Sequence, residues 1–328
     1  MDIIKNIKGT KDIYGDEAYV WQFVESKIHQ FIQSYGYDEI RTPKFEKSGL
    51  FNRSIGQDTD IVSKEMYSWV DQGNNELTLK PEVTASVVRA YIQHNLGKKN
   101  SINKFYYIDS LFRRERPQKG RFRQFEQYGI EAIGSDNPEQ DAEVISIAYH
   151  FYKFIGIKKI TLKINSIGSK KARDNYKIAL KEYLKPFIEN LSEISQRRFE
   201  TNPLRILDTK IDFEQEILKD APKIVDFLSD KDSDHFKKVL FYLKQLKIDY
   251  VIDNYLVRGL DYYSRTVFEI ESSNLGSQSA LCGGGRYDYL VEELGGPPTP
   301  AIGFAAGIER LILALNIEEN QYRKTPDI

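Results

Sequence analysis

A chain of 328 residues with 41% apolar and 12% aromatic content is too long for one minimal domain and implies one large buried core with something smaller attached. Its 47 basic and 48 acidic residues give a formal net charge of −1, which excludes attraction of the whole molecule to nucleic acid and leaves such contacts to local patches. One cysteine, Cys282, excludes an internal disulfide framework, and four scattered histidines (His29, His94, His150, His235) without ligand spacing exclude a zinc site.

No apolar run reaches the length of a membrane span, and residues 1–10 carry neither a signal-peptide apolar region nor an Arg/Ser-rich presequence, so a cytoplasmic location without membrane contact is expected. From Asp16 the apolar residues Val20, Val24, Ile28 and Phe31 recur at helical spacing, which predicts an amphipathic helix over 17–34 closed by Tyr35-Gly36. YDEIRTPKFE then reads as a short strand ending at Pro43. Residues 64–70 and 76–79 alternate as two strands around DQGNN, and Pro81 resets the chain into a helix bearing Val87, Val88, Tyr91 and Ile92. Glu82 and Thr84 sit at that handover, where polar groups can face a cleft; Thr84 equally suits a helix cap.

Two β-rich segments, 105–113 and 122–133, flank a turn-prone RPQKG and predict a long antiparallel hairpin. Residues of like parity share a strand face, which groups Arg113 with Glu115, and Arg121, Arg123, Phe125, Gln127 and Glu131 on the return arm. A face used only for packing would carry Val, Ile and Leu. Guanidiniums that clamp phosphate, carboxylate and amide groups, and one stacking ring instead suit a charged nucleotide with a small polar ligand. A solvated, salt-bridged sheet face is the alternative reading.

Beyond the hairpin, NPEQDAEVISIAYHFYKFIG predicts a helix and IKKITLKINSIGS a strand. Residues 169–232 are rich in Lys, Glu and Asp, helical in period and free of β alternation, as expected of a helical insertion or a mere spacer. LVRGLDYYSRTVFEI reads as a turn entering a strand with a buried aromatic edge. GGGRYDYLVEELGG reads as a glycine-rich loop leading into a helix, with Cys282 beside it as a small packing residue. PAIGFAAGIERLILAL closes as strand, Gly and helix, with Arg310 in the first helical turn, where the dipole favours an anion.

The string FRRERPQKGRFRQFEQYG closely resembles the second signature motif of class II aminoacyl-tRNA synthetases, in the form found in histidyl-tRNA synthetases. GYDEIRTPKFEKSGLF resembles the first motif and implies a homodimer. LKPEVT is similar to the family's LRPEGT, with Lys80 in place of Arg and Val83 in place of Gly. LVRGLDYYSRTVFEI matches a block peculiar to histidyl enzymes, GGRYD recurs, and GIER resembles the third motif. The resemblance spans nearly all of residues 7–316. It implies an α+β fold, a class II synthetase-like antiparallel sheet flanked by helices, with residues 1–168 and 233–328 as catalytic core. It further implies that 169–232 is the insertion packing near the acceptor arm of tRNA, and that a C-terminal anticodon-binding domain is absent.

The function implied is ATP-dependent activation of histidine and transfer of the histidyl group to the 3′ end of histidine tRNA, with Mg2+ accompanying ATP. By the same resemblance Arg113 and Arg258 stabilise the reacting α-phosphate, while Glu82, Thr84, Gln127, Glu131, Tyr263 and Tyr287 hold histidine. Arg121 and Arg310 take the outer phosphates, Phe125 stacks on adenine, and Glu115 accepts from its amino group. Arg116, Gln118 and Arg123 meet the tRNA acceptor end. A rival is the regulatory subunit of ATP phosphoribosyltransferase, a paralogue without the anticodon domain; the intact RGLDYY, ERPQKGR and GIER strings argue against it. A domain that only senses tRNA would have lost the arginines that clamp ATP, yet Arg113, Arg258 and Arg310 are present.

Overall fold

The structure is a computed structural model that describes residues 3–56, 59, 61–118, 120–276, 279–317 and 322. Lys119 of the hairpin turn and most of the polar tail lie outside the described residues. Helix α1 (Asp16–Gln33) opens with Asp16 and Glu17, whose charges suit the positive end of its dipole. It buries Val20, Val24, Ile28 and Ile32 along one stripe and ends before Gly36, which takes a φ of +74°. Then come β1 (Asp38–Glu39), β2 (Phe45–Lys47), α2 (Ser48–Ser54), β3 (Tyr67–Val70), β4 (Glu76–Leu79) and α3 (Thr84–Gln93). Strands β2, β4 and β3 pair as a small antiparallel sheet.

The predicted hairpin is β5 (Asn103–Phe112) with β6 (Gln124–Ile133), paired antiparallel from Asn103↔Ile133 to Phe112↔Gln124. After α4 (Pro138–Phe154) and β7 (Ile160–Ser166) the chain runs through α5 (Lys170–Leu184), α6 (Glu193–Thr201), α7 (Asp212–Leu218) and α8 (Asp230–Gln245). No described residue between 170 and 245 forms a strand, and the expected boundary at 232 falls in the first turn of α8. The chain returns through β8 (Tyr250–Ile252), β9 (Ser264–Ser272), β10 (Ala280–Arg286), α9 (Leu290–Glu293), β11 (Ala301–Gly307) and α10 (Ile308–Leu315).

Among the described residues, eight of these strands form one sheet in the order β1-β5-β6-β11-β10-β9-β7-β8. Its centre is antiparallel, while β1 and β8 pair parallel at the two edges. The even residues of β6, Tyr128, Ile130 and Ala132, enter a core shared with α1, α4 and α8, where Val24, Ile145, Phe151, Val239 and Phe304 are buried. Helix α4 is apolar nearly all round because it lies between α1, α8 and the sheet. The odd residues of β6 face the other way and leave a cleft. No helix of the described residues is long and apolar enough to cross a membrane.

Three sequence expectations change: YDEIRTPKFE is not one strand ending at Pro43, since β1 stops at Glu39 in the large sheet and β2 starts at Phe45, beyond Pro43, in the small one. Gly283, Gly284 and Gly285 lie in strand β10 in the middle of the sheet, and the helix that follows is a single turn. Glycine has little strand propensity, but neighbours β9 and β11 supply the ladder on both sides. Lys64 and Glu65 belong to a π-helical turn, Ile61–Glu65, and the strand starts only at Tyr67. Cys282 is buried, and burial pushes its thiol up to about 12.

Candidate functional site

The period-two alternation of β6 aims Glu131 into the cleft, where it is 1% exposed. Three hydroxyls converge on its carboxylate. Thr84 Oγ1 donates to Oε1 at 2.7 Å, Tyr107 Oη to Oε1 at 3.4 Å, and Tyr287 Oη to Oε2 at 2.5 Å. Burial nevertheless outweighs these bonds and pushes the carboxyl up to about 8. A Cβ at Gly303, opposite Glu131 on β11, would lie 1.9 Å from Oε2, so only glycine leaves the carboxylate room. Thr84 is therefore not a helix cap: its hydroxyl goes to Glu131, and the Glu82 carboxylate accepts from the Ala85 N–H at 2.9 Å in its place. Burial raises the Glu82 carboxyl as well.

Eight of the expected residues, Glu82, Thr84, Gln127, Glu131, Tyr263 and Tyr287 with Arg113 and Arg258, line one cavity of ≈ 200 Å³. That is below the roughly 300–1,000 Å³ of pockets for drug-sized ligands, and it suits a ligand of amino-acid size. Arg113 donates through Nε to the Pro81 carbonyl at 2.9 Å and lies over the Phe125 ring at 5.2 Å. Arg258 ion-pairs with Glu269 at 2.6 Å and lies beside the Tyr263 ring at 6.0 Å. A Cβ at Gly283 would fall 1.9 Å from the Arg258 guanidinium, so the bare strand is the surface on which that group rests.

The remaining expected residues are not among those lining the cavity: Glu115, Arg116, Gln118, Arg121 and Arg123 lie along the hairpin loop, Phe125 in β6 and Arg310 on α10. Glu115 bridges Arg113 at 3.7 Å and Arg121 at 3.4 Å. Burial, and after it the nearby Arg121 cation, push the guanidinium of Arg310, at the start of α10, below its usual value. Gln118 and Arg121 close the turn through reciprocal backbone bonds of 3.2 and 2.9 Å. Arg116 and Gln118 are exposed at that turn, whereas Arg123 is drawn in, its Nε 3.5 Å from the Glu115 carbonyl and its N–H bonded to Gly9 O at 2.7 Å.

Sequence reasoning missed Tyr107, although its parity on β5 places it on the face of Glu131. It missed Lys80, which is fully buried against Asp109 and also donates to Thr42 Oγ1 at 2.9 Å. That pair fixes the strand end just before Glu82. It also missed Arg286, which is wholly buried, bonded to Asp141 at 2.6 Å and Asp288 at 2.9 Å, and next in sequence to Tyr287. His235 is buried and bonded to the same Asp141 at 2.8 Å, a structural role. Among the described residues no group of three or more His, Cys, Asp and Glu side chains is arranged to hold a metal.

A family model described as Histidyl-tRNA synthetase matches residues 9–311. The chain is 52% identical over 313 residues to the histidine–tRNA ligase of Chloroherpeton thalassium, a match covering 95% of this chain and 73% of that relative. With the histidine–tRNA ligase of Syntrophotalea carbinolica it shares 48% identity over 325 residues, covering 99% of this chain and 77% of the relative. The structure of apo S. aureus histidyl-tRNA synthetase is similar at a TM-score of 0.78 and 40% identity, over 95% of this chain and 74% of that one.

Proposed function

The chain belongs to the histidyl-tRNA synthetase family, and on that premise we propose that the cavity around Glu131 is where its histidine is bound and activated. The fold is the class II α+β sheet flanked by helices, and the activity is that of a histidine–tRNA ligase rather than of a regulatory subunit. One observation carries the site assignment: a buried carboxylate ringed by the hydroxyls of Thr84, Tyr107 and Tyr287, in a cavity that also holds two guanidiniums.

Neutral imidazole offers one donor and one acceptor, so a pocket that recognises it needs an acid and a hydroxyl. Glu131 takes the imidazole N–H while Tyr263 and Tyr287 complete the edge; Glu82, Thr84 and Gln127 hold the α-amino end. The histidine carboxylate then attacks the α-phosphorus of ATP and pyrophosphate leaves. Negative charge builds on the phosphoryl oxygens, and Arg113 and Arg258 stabilise it without reorganising, because Pro81 and Glu269 already fix them. Arg121 and Arg310 bind the outer phosphates, Phe125 stacks on adenine, and Glu115 accepts from the adenine amino group. Mg2+ arrives on the ATP phosphates as part of the substrate. The ester forms when a hydroxyl of the terminal ribose of histidine tRNA attacks the carbonyl carbon of the adenylate and AMP leaves as the anhydride C–O bond breaks, with Arg116, Gln118 and Arg123 near the acceptor end.

Residues 1–168 and 233–328 make up the catalytic core in this reading and 169–232 its insertion. The exposed Phe45 and Trp69 rings, 6.0 Å apart on the two strands that flank β4 in the small sheet, with exposed Val70 next along the chain, support a homodimer, since adjoining exposed apolar side chains mark interaction sites. A cytoplasmic location goes with the reading.

Histidine-dependent ATP–pyrophosphate exchange, with other amino acids as controls, tests the site. Exchange specific to histidine is the expected result. Arg258→Ala should lower kcat by about 10²-fold, or about 3 kcal/mol, with a smaller change in KM. Equal losses in kcat and in simple ATP binding would remove Arg258 from the transition state.

A further inference from the structure

Residues 258–263 carry Arg258 and Tyr263, yet they belong to no strand or helix and β9 starts only at Ser264. The sheet therefore does not fix this stretch of backbone. Its carbonyls are bonded instead to side chains from the helical segment. Arg173, on α5, donates to the carbonyl of Asp261 at 3.2 Å and to that of Tyr263. Arg205, in the 3-10 turn Pro203–Asp208, donates to the carbonyl of Gly259 and lies 3.8 Å from the Asp261 carboxylate. Asn202 Nδ2 donates to Asp261 Oδ1 at 3.0 Å.

These cations differ from their neighbours. Lys170, Lys171, Lys185, Lys210 and Lys219 are exposed, as a solvated surface requires, whereas the Arg205 side chain is only 12% exposed and Arg173 is partly buried and loses basicity by burial. Charged donors to main-chain carbonyls inside a protein are among the stronger hydrogen bonds. The apolar side is continuous too: Tyr176, Leu180, Phe199, Leu204 and Ile206 of the helical segment share one buried cluster with Tyr262, Tyr263 and Tyr287. A spacer needs neither feature.

We propose that Arg173 and Arg205 are positioning residues for histidine activation, through which the helical segment holds Arg258 and Tyr263 in register with the reacting groups. Arg258 is then fixed at both ends, its guanidinium by Glu269 and its backbone neighbourhood by Arg205. The inference rests on the assignment of Arg258 and Tyr263 to the substrate site. Neither arginine touches the cavity, so their effect passes through the 258–263 backbone.

The test measures histidine-dependent ATP–pyrophosphate exchange and thermal unfolding for the full chain and for Arg173→Ala, Arg205→Ala, Arg205→Lys, Asn202→Ala and Arg258→Ala. A misplacement of 1 Å costs on the order of 10²-fold in rate, so kcat is expected to fall at least about tenfold in folded Arg205→Ala and Arg173→Ala. KM for ATP should stay within about twofold, and Arg205→Lys, which keeps one donor, should lie between parent and alanine variant. If an alanine variant does not fold, Asn202→Ala is read in its place, with kcat lowered about threefold or more. Exchange lost in Arg258→Ala but within about twofold of parent in folded Arg205→Ala overturns this inference alone; a kcat that falls only as the folded fraction falls does the same. Exchange that survives Arg258→Ala overturns the site assignment and this inference with it.

Discussion

Glu131 titrates near 4.5 in an open chain and at about 8 in the folded protein. A raised carboxyl means that the folded state prefers the protonated form. Its contribution to stability is therefore complete below the open-chain value and is lost as pH rises through about 8. Without ligand, the unfolding temperature should fall across that window, and Glu131→Gln, which does not titrate, should flatten the slope. The same variant should relax or abolish the choice of histidine in exchange assays while the fold persists; unchanged histidine affinity would put the imidazole elsewhere. Lys80 and Asp109 make a different kind of buried pair, one that anchors the Glu82 strand end. Removing one partner leaves a buried charge, so Asp109→Asn should destabilise by about 3 kcal/mol in urea unfolding. Lys44, half exposed beside the same carboxylate, would soften the loss if it were the principal partner, and a cost below about 1 kcal/mol would identify it as such.

At the scale of the element, β10 works as a blank surface. Gly283→Ala adds a Cβ whose nearest neighbours are all guanidinium atoms of Arg258, the far end of a flexible side chain. The ladder should survive and Arg258 should be displaced, so this variant should mimic Arg258→Ala in kcat at nearly unchanged unfolding temperature. Wild-type exchange would mean that the guanidinium finds its place from another position. The hairpin was legible in the sequence because a strand buried on one face and functional on the other must alternate. Parity alone grouped Phe125, Gln127 and Glu131. Strand β10 was not legible, since three glycines carry no pattern and owe their conformation to β9 and β11. The links from Arg173 and Arg205 to residues 259–263 were equally invisible, because they join elements more than fifty residues apart by bonds to backbone carbonyls, which leave no trace in the acceptor's sequence.

Among the described residues, the two larger of three apolar clusters lie one beneath α1, α4 and α8 and the other between the aromatic wall of the cavity and the helical segment. A buried ionic cluster lies at the end of β10: Arg286 meets Asp141 of α4, and His235 of α8 meets the same carboxylate. Helices α4 and α8 and the strand that carries the cavity wall are therefore tied together. Cys282 sits in this interior on β10, and the chain has no other thiol. A thiol held at about 12 and shielded from water is inert to alkylating reagents in the native state. Its modification rate should then count openings of the central sheet, with local fraying of the loops contributing nothing. Pulse labelling with iodoacetamide, read by mass spectrometry, should give a single site whose rate rises with urea as global unfolding does and drops when histidine and ATP are added. Nature has left, in one unreactive sulfur, a built-in clock for the breathing of the catalytic sheet.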